Sequence, residues 1–253
     1  MKKAHVSTIP GLKKWIDLIA VFTLAGLGLQ AVNTFSRGIT LISVIGYLLT
    51  LGVNLLLVFS LYAVLKRERT YNALGVISTT LKVVFIGVCV FMGIFLLLGL
   101  FCVIIFIIGR AETVMLLISI AFLPVGTTLI IIHAKFYRYT SKVASQLRYN
   151  EYDGSKKPET WALINAVSIL VLMIIEFVLA YIAPKLIASL LSNGGETMTT
   201  MLMEMIPTEG SRSLLSSLMS VALSLLQCAS CYAVYLLLKT VRLNMPVPKK
   251  SVS

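Results

Sequence analysis

Residues 81–108 of the chain, LKVVFIGVCVFMGIFLLLGLFCVIIFII, form its longest apolar run, in which Lys82 is the one charged side chain. As an α-helix this run is long enough to cross a hydrocarbon core about 30 Å thick. A backbone in lipid must satisfy its own hydrogen bonds, so a helix is the predicted structure. Five further apolar runs of comparable kind are predicted as spans, at residues 15–35, 39–65, 113–133, 161–183 and 213–238.

The composition supports lipid as the main solvent of the chain. Of the 253 residues, 58% are hydrophobic and 13% are charged, against about 25% charged residues in a soluble domain. The mean hydropathy is +0.95. We therefore predict an all-α integral membrane protein, a six-transmembrane-helix bundle that occupies residues 15–245, between a cytoplasmic N-terminus (1–14) and a cytoplasmic tail (246–253).

Short connections group the predicted spans into three helical hairpins. Residues 36–38 join the first two spans and residues 109–112 join the third and fourth. Turns this short place consecutive helices side by side and antiparallel. A longer segment, about 184–212, joins the fifth and sixth spans.

The distribution of basic residues predicts the orientation. With the N-terminus inside, 18 of the 22 Lys and Arg residues face the cytoplasm, and only Arg37, Arg110, Lys185 and Arg212 face outward. An excess of positive charge in cytoplasmic loops is typical of multi-pass membrane proteins and sets their orientation. The prediction is a multi-pass protein of the plasma membrane with both termini in the cytoplasm.

The formal net charge of +12 does not indicate nucleic-acid binding, because the cations flank apolar runs instead of forming a basic domain. Tyrosines interleave with the cations after the fourth span, which predicts a helical extension of that span against anionic lipid. Three cations on this extension, Arg138, Lys142 and Arg148, form the predicted cytoplasmic basic surface. A protein partner could dock there instead of lipid.

Glu176 is the sharpest candidate for a functional residue within the spans. A lone carboxylate at this depth costs about 2.5–3.5 kcal/mol and is expected to face the bundle interior. Its function could be a proton or cation relay, and the alternative is a neutral or paired Glu that fastens helices. Four polar residues complete the candidate pathway: Gln30, Asn33, Asn54 and Gln227.

Two further patterns have structural explanations beside functional ones. Ser216, Ser220, Ser224 and Cys228 recur every fourth residue, a small-residue stripe that lets another helix approach closely. The predicted outer segment carries four methionines, which suit Cu(I) or fill an amphipathic helix on the membrane surface. They are Met198, Met201, Met203 and Met205. No cofactor is predicted.

These patterns favour a small transporter or a permease-like membrane subunit with a site at Glu176. The alternative is a non-transporting interaction protein, such as an assembly factor, a sensor or an immunity-type protein, that binds partners through its basic loops. Motifs of hydrolases and nucleotide-binding enzymes are missing from the sequence, so we expect no catalytic activity. A partner subunit or a homo-oligomer fits either function.

Overall fold

A computed structural model describes residues 6–36, 40–108, 113–177 and 214–245. Within these ranges the side chains of residues 36, 42, 106, 113–122, 176–177 and 214–217 are not described. In the described part of the chain, a short 3-10 helix, Val6–Thr8, precedes six α-helices. They are α1 (Leu12–Ser36), α2 (Leu41–Val64), α3 (Thr70–Ile108), α4 (Thr113–Tyr149), α5 (Lys157–Phe177) and α6 (Leu214–Asn244).

The helices confirm the all-α class and fit a helical membrane bundle. Five of them, α1, α2, α3, α5 and α6, are long and apolar enough to cross a membrane. The predicted fourth span lies on α4, where the side chains of 113–122 are outside the described part of the chain. The six-span count therefore stays a prediction.

The helices form a ring in chain order. Each helix packs mainly against the helix before it and the helix after it, and α6 closes the ring on α1. The most extensive contact is between α3 and α4, followed by those of α6 with α1 and with α5. The three predicted hairpin pairs are thus neighbours in space.

One end of this ring contains the main apolar core. The N-terminal parts of α1, α3 and α5 meet the C-terminal parts of α2, α4 and α6 there, in a single buried cluster. It includes Leu12, Leu74, Ala162, Val64, Leu147 and Val241. Val6 and Ile9 of the N-terminal segment join the same cluster. Every Lys and Arg that the structure describes lies at or near this end. We call it the basic end.

Beyond the basic end, α3 exposes a long apolar surface. Large side chains from Val83 to Ile108 are mostly open, and Leu97 is 70% exposed. Each square ångström of apolar surface left in water costs about 25 cal/mol, so a water-facing surface of this kind would be strongly unfavourable. Lipid is the solvent that suits it.

At the basic end, α3 and α4 extend past the predicted spans. The helix containing span three begins at Thr70, eleven residues before the apolar run, because Ala73, Leu74 and Ile77 bury themselves against α4. The predicted extension of span four is confirmed, since α4 continues to Tyr149. Ser78 and Ser141 lock the two extensions together, as each hydroxyl donates to the other's carbonyl, at 3.2 and 2.9 Å.

Candidate anion-binding cleft at the basic end

A cleft of about 610 Å³ opens between α3, α4 and the start of α5. Four cations line it: Lys82, Arg138, Lys142 and Lys157. One carboxylate, Asp153, shares the lining. Two of the three residues of the predicted basic surface, Arg138 and Lys142, therefore face one concave site. A cleft of this size falls in the range of small-molecule sites.

The turn after α4 sets the position of the cleft's acidic wall. Asn150 adopts a left-handed conformation with φ 58°. The Glu151 N–H donates to the Gln146 carbonyl at 2.8 Å, and the Asn150 N–H donates to Leu147 at 3.4 Å. This is the Schellman arrangement, in which Asn is one of the residues suited to the left-handed position. It ends α4 and turns the chain toward Asp153.

Hydrogen bonds fix Asp153 as an ionised neighbour of Lys142. Its carboxylate accepts from the Gln146 side chain and from the Ser155 N–H, each at 3.0 Å. These two bonds, the Gln146 bond first, hold the pKa of Asp153 below its ordinary value. The Lys142 ammonium lies 3.7 Å away. Asp153 thus offsets one cation of the cleft and leaves three others in excess.

An aromatic wall borders the same cleft. Tyr139 lines it and stacks on Trp161 of α5, with ring centroids 6.4 Å apart and planes at 7°. The Lys135 ammonium lies 4.4 Å from the centre of the Trp161 ring. Trp and Tyr concentrate where a bilayer meets water. A cation beside stacked Trp and Tyr rings is the combination expected at such an interface.

Arg148, the third residue of the predicted basic surface, lies apart from the cleft. Its guanidinium stacks 4.3 Å from the centre of the Tyr71 ring and 5.3 Å from that of Tyr149. It also covers Gly75, where an added Cβ would lie 2.9 Å from the guanidinium carbon. These contacts give Arg148 a packing role between α3 and α4.

An ion pair that was not predicted from the sequence joins α5 to α6 at the basic end. The Arg242 guanidinium of α6 donates to the Glu159 carboxylate of α5. Glu159 is 6% exposed, and Tyr152 beside the pair is 3% exposed. Burial, and next the negative charge of Glu159, raises the pKa of Tyr152 to about 12. The acid lies in the first turn of α5, where a helix favours negative charge.

The candidate pathway residues are distributed over four helices, α1, α2, α5 and α6. The Asn54 amide donates to the Thr50 carbonyl of its own helix at 2.8 Å, and Gln227 is exposed. Gln30 and Asn33 are half-buried on α1. Glu176 lies in the last turn of α5, and its side chain is outside the described residues. Their role in a pathway stays a prediction.

The small-residue stripe lies on a helix that packs between two others. The Cys228 thiol donates to the Ala166 carbonyl of α5 at 3.3 Å, and Thr23 of α1 hydrogen-bonds Ser230 of α6 at 3.3 Å. Ser220 and Ser224 are half-buried, and the side chain of Ser216 is not described.

A polar seam follows the contact between α5 and α6. The Asn165 amide donates to the Cys231 sulfur at 3.3 Å. Asn165 is 2% exposed, yet its Oδ1 has no hydrogen-bond partner among the described atoms. The seam is thus polar but incompletely satisfied.

The methionine-rich segment, for which copper binding was one of two interpretations, is not among the residues that the structure describes. Met198, Met201, Met203 and Met205 all lie outside the described residues. Within the ranges that are described, no three His, Cys, Asp or Glu residues come together as a metal site.

Comparison of the chain with protein-family models, with curated proteins and with solved structures finds no match. Its function is therefore inferred from its own residues and their geometry.

Proposed function

We propose that the chain is a six-span protein of the plasma membrane, with both termini and the basic end in the cytoplasm. In this proposal it is a non-transporting interaction protein whose basic end is the recognition surface. The observation that carries the proposal is the cationic cleft between α3, α4 and α5. Electrostatic complementarity of this kind selects anionic partners and speeds their association.

The packing around the cleft favours recognition of a partner over transport through the bundle. The basic end is filled by apolar side chains from all six helices and the N-terminal segment. The pair of Glu159 and Arg242 joins α5 to α6 at the same level. A surface built on a packed base keeps its cations in place, which favours a docking role.

Gentle extraction from the native membrane followed by native mass spectrometry tests this proposal. The wild-type chain should retain a second protein in fixed stoichiometry, and Arg138→Gln/Lys142→Gln should lose it. The matched control is Lys13→Gln/Arg67→Gln, which removes the same charge from exposed positions outside the cleft. A wild-type chain that emerges alone would contradict the proposal.

A second candidate function is transport along the seam between α5 and α6. The unsatisfied Oδ1 of Asn165 favours it, because a buried amide oxygen normally has a partner, which can be water or a polar ligand. Glu176 follows Asn165 by eleven residues, three helical turns along α5. Reconstitution in vesicles tests this candidate: a proton or cation flux that Glu176→Gln abolishes would establish transport in place of recognition.

A further inference from the structure

The cations of the cleft come from three different elements and converge on one site. Lys82 belongs to α3, Arg138 and Lys142 belong to α4, and Lys157 begins α5. All four are exposed at the surface, where they reach water or a headgroup. Against them stands one carboxylate, Asp153, so the site favours an anion.

The cleft continues into an apolar surface on one side. Phe85 lines the cleft together with Lys82. Ile86 and Val90 follow Lys82 at four-residue intervals on α3, which places the three on one helical face. Both apolar side chains are more than half exposed. A ligand that suits this surface has an anionic head and an apolar tail.

Hydrogen-bond donors and aromatic rings complete the chemistry of the site. Hydroxyl groups of Ser145, Ser155 and Tyr139 lie in the lining. Guanidinium, ammonium and hydroxyl groups are the donors that phosphate oxygens accept from. The stacked pair of Tyr139 and Trp161 lies beside them, and Trp and Tyr are residues that concentrate at the interface of a bilayer with water.

We propose that this cleft binds the phosphate of an anionic glycerophospholipid, whose acyl chains lie along the face of α3 that carries Ile86 and Val90. The cations hold the phosphate diester, and Asp153 restrains Lys142 at one side of the site. The inference rests on the proposed function only in taking the basic end as a recognition surface. A soluble phosphate would make no use of the adjoining apolar face.

The test measures lipid binding to the purified, delipidated full-length chain by native mass spectrometry. The probes are phosphatidylglycerol and phosphatidylcholine with identical acyl chains. Phosphatidylglycerol should bind at least about tenfold more tightly, since basic residues near a membrane surface contribute about a factor of five or more each toward anionic lipid. Arg138→Gln/Lys142→Gln should weaken its binding about 30-fold on the same basis.

Two variants separate the cleft from the general positive charge. Lys13→Gln/Arg67→Gln carries the same charge change outside the cleft and should alter binding less than about twofold, because the field of exposed charges is screened over about 10 Å. Lys82→Gln/Lys157→Gln removes the other two cations of the cleft and should weaken binding as the first variant does. Equal losses in the cleft and control variants, or equal affinity for the two lipids, would overturn the inference.

Inorganic phosphate distinguishes a lipid site from a soluble-anion site. Phosphate added at the same concentration as the lipid should leave phosphatidylglycerol bound. Displacement of the lipid under that condition would overturn the inference. A co-purifying protein without lipid selectivity would refute the lipid site and leave the proposed function standing. Lipid selectivity without a protein partner would leave the lipid site standing and refute the proposed function.

Discussion

Replacing Glu159 by Gln should destabilise the protein more than the removal of any single exposed charge. Glu159 is 6% exposed and the side chain of its partner, Arg242, is 20% exposed. Removing the carboxylate leaves a largely buried guanidinium without its counter-charge. Breaking a buried pair in this way costs about 3–5 kcal/mol. We expect about 3 kcal/mol, because Arg242 keeps some access to water.

The assay is unfolding in mixed micelles by titration with dodecyl sulfate, followed by circular dichroism. Asp153→Asn is the internal control, since its partner Lys142 lies 3.7 Å away and the two side chains are 45% and 60% exposed. An exposed pair of this kind contributes at most about 1 kcal/mol. The two variants should therefore differ by about 2 kcal/mol in their free energies of unfolding.

A double-mutant cycle separates the pair from its surroundings. Glu159→Gln/Arg242→Gln removes both charges and should recover about half of the loss, because no buried charge is left alone. If Glu159→Gln costs no more than Asp153→Asn, the ion pair does not hold α5 to α6. A double variant less stable than the sum of its single variants would also refute this account.

Three further changes test other parts of the fold. The pKa of Tyr152 in the folded chain, about 12, exceeds its ordinary value of 10.0, so the Tyr152 hydroxyl of the unfolded chain ionises first as the pH rises. The free energy of unfolding should therefore fall between about pH 10 and 12. Tyr152→Phe should flatten that fall when unfolding is measured as a function of pH. Gly126→Ala places a Cβ 2.5 Å from the Phe95 ring and should lower the free energy of unfolding in micelles by about 1–3 kcal/mol. Gly87→Ala, with open space around it, should leave that free energy unchanged. Equal effects of the two variants would contradict the tight α3–α4 contact. Asn150→Ala should cost about 1 kcal/mol, because Ala disfavours a positive φ, and Asn150→Gly should be neutral or stabilising by the same measurement.

Run length and charge predicted the parts of the fold that depend on local composition. The apolar runs are helical wherever the structure describes them, as expected of a backbone in lipid, which offers no other hydrogen-bond partner. The tyrosine-rich segment after span four became helix because Val143, Ala144 and Leu147 bury one side of it. Asn150 is an end signal that the prediction did not use, since Asn is among the residues that end helices in the left-handed conformation.

Contacts between helices far apart in the sequence could not be predicted from local sequence patterns. Glu159 and Arg242 are 83 residues apart, and no spacing rule joins them. A signal existed: an acid in the first turn of α5 and a base in the last turn of α6 must meet if those helices are antiparallel neighbours. The start of α3 at Thr70 was missed for a related reason, as its apolar residues are too sparse to form a span and pack on α4 instead.

The candidate site was predicted in part. Arg138 and Lys142 were expected at a cytoplasmic basic surface and line the cleft, whereas Arg148 packs against Tyr71 and Gly75. Sequence alone treats these three cations alike, because it shows charge but not which helix face meets a neighbour. Lys82 and Lys157 join the cleft only through the α3–α4 and α4–α5 contacts.

Cysteine labelling tests most directly that the basic end lies in the cytoplasm, which its proposed role as a recognition surface requires. In a chain with its four native cysteines replaced by Ser, Lys142→Cys reports on the basic end, and Thr40→Cys, at the N-cap of α2, reports on the opposite end. A membrane-impermeant maleimide should label Lys142→Cys only in inverted vesicles and Thr40→Cys only in intact cells. Labelling of Lys142→Cys in intact cells would place the cleft outside and contradict the account.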